Sequence, residues 1–199
     1  DMPCTRRVEF DLDCNWKLYI ENAMEDYHTA VVHRASIKKQ VARYVDTKGQ
    51  WEAAHVASPH SLAVLSDAPK SFPHIPSLEG ATRDGTYFVM LYPSTMWGCA
   101  QDCMWWLELR PQGAARTKLI VGSCFPNATI ARDDFEEVAA HYYHRWDKSI
   151  PEDNDIAEIQ QHGLSSPLSE TGRVSRMELL VHRIANWTLD RVLDAPAAE

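Results

Sequence analysis

Hydrophobic positions alternate with charged ones at Val8, Phe10 and Leu12, the period of a half-buried strand, so Arg7–Leu12 is predicted to enter the domain as a strand. The period then changes. Trp16, Tyr19, Ile20, Ala23, Met24 and Tyr27 recur at helical spacing with no Pro or Gly between them, which predicts a helix from Trp16 to Val32. Val41–Val56 reads as a hairpin around Thr47-Lys48-Gly49. The stretch Ser58–Gly85, rich in Pro, Ser, Ala and Asp, is expected to be a long irregular loop of the kind that forms lids or binding loops.

Three strands are predicted next in a meander, Thr86–Tyr92, Asp102–Arg110 and Thr117–Phe125, split by Pro93-Ser94 and Pro111-Gln112-Gly113. Asp133-x-x-Glu136 has the form of a capping box for a helix running to Trp146; Pro151 is expected to break it and begin a second piece that Gly163 closes. Ser175-x-x-Glu178 caps a last amphipathic helix whose stripe is Met177, Leu180, Val181, Ile184, Trp187, Leu189 and Val192. There is no repeat or linker. The expectation is one α+β domain over residues 1–199, an antiparallel sheet with helices segregated against it.

Composition narrows the function. Twenty basic against twenty-eight acidic side chains give a net charge of −8, the wrong sign for a nucleic-acid footprint or a polybasic membrane anchor. No apolar run approaches the ~18 residues of a membrane span, and Asp1–Arg7 carries no signal-peptide core. A cytoplasmic protein with neither nucleic acid nor membrane as partner is expected. The five cysteines are odd in number and scattered, which argues against a disulfide scaffold; Cys99-x3-Cys103 reads as two small buried residues rather than half a zinc site.

Of nine histidines, His55, His60, His74 and His162 sit in polar or loop contexts and are expected to be solvated. His141 and His144 fit a partly buried helical pair, and His182 hydrogen-bonded packing in the last helix. The segment Glu21–His33 differs, placing carboxylates, Asn22, His28 and His33 along one otherwise apolar stretch. Glu25 and His28 are three apart and share a helical face. His28 and His33 are five apart, about 140° around a regular α-helix at ~100° per residue, so chelation of one ion would need local π-type widening. Two imidazoles and one carboxylate on one face form the metal set of non-haem Fe(II) oxygenases. The acid would come from Glu152-Asp153-Asn154-Asp155.

These blocks resemble a known family. Asn15-Trp16-Lys17, Glu21-Asn22 and Glu25-x-Tyr27-His28-x4-His33 are similar to the catalytic-domain signature of Rieske-type aromatic-ring-hydroxylating oxygenase α subunits. Glu152-Asp153-Asn154-Asp155-Ile156-x-Glu158-x-x-Gln161-x-Gly163-Leu164-x-Ser166 resembles its third-ligand block, and Tyr87–Pro93 its mid-domain strand. The resemblance implies a helix-grip (START/Bet v 1-like) fold, a curved antiparallel sheet over a long C-terminal helix enclosing a cavity. It implies that His28, His33 and Asp153 bind a mononuclear Fe(2+), with Asp155 as the fallback third ligand. Glu25 takes the place of the acid that receives electrons from a neighbouring subunit's cluster and bonds a ligating histidine, and Asn22 that of a residue lining the site.

The implied activity is O2 activation that hydroxylates, by mono- or dioxygenation, or oxidatively demethylates a small aromatic or other apolar substrate. Glu25-Asp26-Tyr27-His28 is closer to the monooxygenase and demethylase branches. Electrons would arrive from NAD(P)H through a ferredoxin-type reductase and a Rieske donor, in a homotrimer. The family's [2Fe–2S] ligands, Cys-x-His and Cys-x-x-His, have no counterpart in this sequence, so no cluster is expected on this chain and a truncated or externally served catalytic half is. The alternatives are a metal-free hydrophobic-ligand-binding module of the same fold and a zinc hydrolase using Glu25 as base.

Overall fold

The computed structural model describes residues 1–193; the last six residues of the expected 1–199 domain lie outside the described residues. Seven strands form one antiparallel sheet: β1 (Cys4–Leu12), β2 (Ala42–Val45), β3 (Trp51–Ala57), β4 (Gly85–Leu91), β5 (Thr95–Cys99), β6 (Met104–Gly113) and β7 (Arg116–Cys124). Their spatial order is β1-β7-β6-β5-β4-β3-β2, so the chain meanders from β2 to β7 and β1 closes on β7. The helices are α1 (Trp16–Ala23), the short α2 (Asn127–Ile130), α3 (Phe135–Leu164) and α4 (Leu179–Val192). The α+β reading holds, as do β1 and the β2–β3 hairpin, in which Ala42 faces Val56 and Val45 faces Ala53.

β6 alternates cleanly, with Trp105, Leu107 and Leu109 buried, whereas β7 is buried on both faces from Leu119 to Cys124. Trp105 packs on Trp146 of α3, their ring centres 5.8 Å apart, which fixes the long helix against the sheet. Ser58–Asp84 is irregular as expected apart from a 3-10 turn at Gly80–Thr82, but it is pinned rather than free. Phe72 lies within 5.7 Å of Phe125, Phe135 and Tyr142, ring centre to ring centre, and its N–H donates to Tyr142 Oη at 2.8 Å. Ser61 and Tyr142 both donate to the buried carboxylate of Asp102.

The structure corrects several expectations. β5 is a fourth strand where three are predicted, none of them between Tyr92 and Asp102; a Cβ at its Gly98 would meet the Trp105 ring at 2.2 Å, so glycine is there for close packing. The first helix stops at Ala23, nine residues early, because Glu25 and Asp26 spend their carboxylates on backbone N–H groups. Glu25 accepts from His28 N at 3.0 Å and Asp26 from Ala42 N at 2.7 Å, an alternative to helical pairing. Pro151 does not break α3, whose buried residues Ile150, Asn154 and Ala157 flank it on both sides.

The capping box at Asp133 does not form either; Asp134 occupies the cap position, and its carboxylate is taken by Arg132 and Lys70. Ser175 and Glu178 do bond one another, Ser175 N donating to Glu178 at 2.6 Å, in a turn just before α4. Of the α4 stripe only Leu180 and Ile184 are buried; Met177, Leu189 and Val192 are exposed. His182 is exposed too, and His55 is half-buried on β3 against Tyr87 rather than solvated.

Candidate metal centre

Past Ala23 the chain makes a 3-10 turn, Tyr27–Ala30, and then irregular turns to Ile37. No π-widening is present. Instead Val31 N and Val32 N both donate to His28 O, and Ser36 N and Lys38 N to His33 O, with Lys38 in the left-handed region at φ 60°. This turn brings the two imidazole rings to 5.2 Å between centres, inclined by 71°. The irregular backbone thus solves the spacing problem that a regular helix poses for residues five apart.

α3 supplies the third group. Asp153 Oδ1 lies 3.1 Å from His33 Nε2 and 3.7 Å from His28 Nε2. His28, His33 and Asp153 each offer one donor atom, all within 4.8 Å of one another. Two donors on adjacent positions of one ion at bond lengths of ~2.1 Å stand ~3 Å apart, a separation that His33 and Asp153 match and that His28 and Asp153 exceed by less than 1 Å. Asp155 is exposed and takes no part.

Each imidazole is braced from behind. His28 Nδ1 donates to Glu25 Oε1 at 2.7 Å, and His33 Nδ1 donates to Glu152 Oε2 at 2.7 Å. Because a carboxylate only accepts, both Nδ1 atoms carry protons, which leaves each Nε2, on the side of Asp153, as the ring atom available to a cation. Glu152 is held in turn by Ser36 Oγ, and Asn22 Nδ2 donates to Asp153 Oδ1 at 2.9 Å. Burial pushes the His33 imidazole down, but the hydrogen bonds and charges of Asp153 and Glu152 outweigh it and hold its pKa above the ordinary value. A cation and a proton therefore compete for His33 Nε2.

The cluster opens into a cavity of about 120 Å³ bounded by α1, α3, strands β2 to β6 and Leu180 of α4. Its walls include Ala54, Phe88, Met96, Trp105 and Leu107. The volume is close to the ~150 Å³ of an apolar cavity that takes up benzene.

The sequence singled out His28, His33, Asp153, Glu25 and Asn22, and the structure brings all five together. It missed Glu152 as the brace of His33, since residues adjacent on a helix point ~100° apart and only tertiary packing turns both inward. Arg145 was missed as well. It is 4% exposed and lines the cavity, on the buried stripe Val138, Tyr142, Arg145 and Ser149 of α3. A basic residue at core spacing was the available signal.

The sequence matches the family described as ring hydroxylating alpha subunit (catalytic domain) over residues 4–194. No curated protein matches the chain. Among solved structures, a quaternary ammonium Rieske monooxygenase whose structure concerns carnitine oxidation superposes with a TM-score of 0.68 at 18% identity, covering 94% of this chain and 50% of that one. Naphthalene 1,2-dioxygenase from Rhodococcus sp. gives 0.64 at 15% identity, covering 86% and 46%. Dicamba monooxygenase bound to 3,6-dichlorosalicylic acid gives 0.62 at 15%, covering 96% and 60%. At these identities the likeness is one of fold, and the chain spans about half the length of the first of these proteins. Among the described residues, no helix is long and apolar enough to cross a membrane.

Proposed function

The chain belongs to the ring-hydroxylating α-subunit family, as a catalytic domain, and on that premise we propose that His28, His33 and Asp153 hold one mononuclear Fe(II) that serves oxidation of a small organic substrate. The observation that carries the reading is the convergence of two Nε2 lone pairs and one carboxylate oxygen, with both Nδ1 atoms committed to carboxylates. Three protein ligands leave positions open, and the iron, when bound, supplies activation of O2 for hydroxylation or oxidative demethylation.

The protein's own residues do the rest. Glu25 and Glu152 fix the tautomer and tilt of the two imidazoles, and Asn22 holds the Asp153 carboxylate in place. The apolar wall of β3 to β6 excludes water and holds a substrate about one ring in size by contact, without ligating it. Glu25, 9% exposed and bonded to His28, is the acid through which electrons from a Rieske donor reach the centre. In this reading the fold is of the helix-grip kind, and the working assembly is a cytoplasmic homotrimer fed from NAD(P)H through a reductase and a [2Fe–2S] cluster. A carrier that merely held an apolar ligand would have no use for three ionisable groups converging at the end of its cavity.

Nitric oxide, an O2 mimic, tests the open positions. The Fe(II)-loaded protein should give the half-integer-spin signal of a ferrous nitrosyl, altered by adding toluene. A loaded protein that gives no such signal has no open position and contradicts the proposal.

A further inference from the structure

Arg145 sits in the wall of the same cavity with no carboxylate hydrogen-bonded to it among the described residues. Burial of a guanidinium is costly unless a carboxylate or a full set of acceptors meets it. Here the only side-chain partner among the described residues is Ser149 Oγ, 3.1 Å from Nη1, while Nε has none. The group lies 5.0 Å over the Trp105 ring, which stabilises a cation but accepts no hydrogen bond in its plane. Tyr19 lines the same cavity, is fully buried, and its hydroxyl is likewise without a partner. Burial pulls the Arg145 guanidinium down to about 10, still charged at neutral pH, with the negative charge of Asp153 opposing the fall.

Two residues that line one small cavity thus each carry a buried donor without a partner among the described residues. We infer that the substrate is a small carboxylic acid whose carboxylate is received by Arg145 and Tyr19. The inference rests on the oxidation reading above and names its substrate class. Spacing along α3 supports it. Arg145 reaches forward to Ser149, and Ser149 precedes Asp153 by four residues, about 6 Å of rise at ~1.5 Å per residue. A carboxylate held at the guanidinium therefore sets the carbon atoms two to four bonds away beside His28, His33 and Asp153. The apolar residues between, Phe88, Met96 and Leu107, fit the hydrocarbon part. The planar, five-donor guanidinium suits a carboxylate taken through two parallel bonds.

The test uses the metal-free full chain, so that no anion can ligate iron. Benzoate, phenylacetate and butyrate are each titrated beside the corresponding amide, with tryptophan fluorescence and the thermal midpoint as readouts. At least one acid should bind roughly tenfold or more tightly than its amide, the worth of a desolvated charge-assisted bond. That preference should vanish in Arg145→Met, fall only in part in Arg145→Lys, and weaken in Tyr19→Phe. If Arg145→Met does not fold, the lysine and phenylalanine variants decide. The inference is overturned if no acid is preferred over its amide, or if the preference persists undiminished in the variants. The latter result would make Arg145 a counter-charge to the metal-site carboxylates. Iron content is measured separately on the same protein. A preference without iron binding removes the oxidation reading and keeps the anion pocket, whereas iron binding without a preference does the reverse.

Discussion

The two ends of the cavity handle buried polarity in opposite ways. At one end every imidazole has a carboxylate behind it, and that carboxylate has a further donor or a backbone group of its own, as Ser36 holds Glu152. At the other end a full positive charge is steadied by one hydroxyl, one aromatic face and the negative charge of Asp153 acting through space, with no carboxylate hydrogen-bonded to it among the described residues. Bracing fixes direction, which a multi-donor cation site requires. Leaving donors open keeps a place for a ligand that arrives and departs. Rigidity and receptivity are thus separated along a single helix, with Asp153 and Arg145 two turns apart on α3.

That contrast can be broken most severely by removing a donor. His33→Ala should abolish tight metal binding, as read by a ferrous titration, because two remaining ligands and an unbraced Glu152 cannot define a face. Removing only the brace is milder: Glu152→Gln or Glu25→Gln should weaken metal affinity about 10–100-fold while leaving the fold intact by circular dichroism. Unchanged affinity in both would mean the braces are ordinary packing.

The wall between the two ends offers the next test. Gly98→Ala drives a Cβ to within 2.2 Å of the Trp105 ring, so the indole must move. Overpacking of this kind costs about 1–3 kcal/mol, measurable by denaturant titration. Because Arg145 rests on that indole, the acid-over-amide preference should fall in the same variant, with metal affinity little changed.

Asp102 supplies the smallest effect and a control outside the cavity. It is a buried carboxylate that is braced, by Ser61 and Tyr142, yet burial still holds its pKa above the ordinary value. A carboxyl raised in the folded state burdens stability above its folded pKa, and the burden lifts as pH falls towards the unfolded value near 3.8. Against Asp102→Asn, the wild type should therefore gain relative stability as pH is lowered from neutral towards 3.8 in chemical denaturation. A constant difference would mean that the hydrogen bonds fully offset burial.

Much of the sheet was legible because alternation survives wherever one face is wet: Val8, Phe10 and Leu12 in β1, and Trp105, Leu107 and Leu109 in β6. β5 was not, since a proline before it and Gly98 within it imitate a loop, and the tertiary reason for that glycine lies on a neighbouring strand. The donor trio was legible through a family likeness rather than periodicity. Helical spacing alone predicted the wrong backbone for Glu25–His33, because side-chain carboxylates there compete for the N–H groups that would have continued the helix. Pro151 misled for the complementary reason, a local rule overridden by packing on both sides of it.

The central claim, that His28, His33 and Asp153 form one iron site, is tested most directly by metal content. The wild-type chain is reconstituted anaerobically with Fe(II), desalted and assayed beside His28→Ala and Asp153→Ala. The account predicts about one iron per chain in the wild type and essentially none in either variant, as a facial set of three ligands requires. A wild type that retains no iron, or an Asp153→Ala protein that retains as much as the wild type, would contradict it.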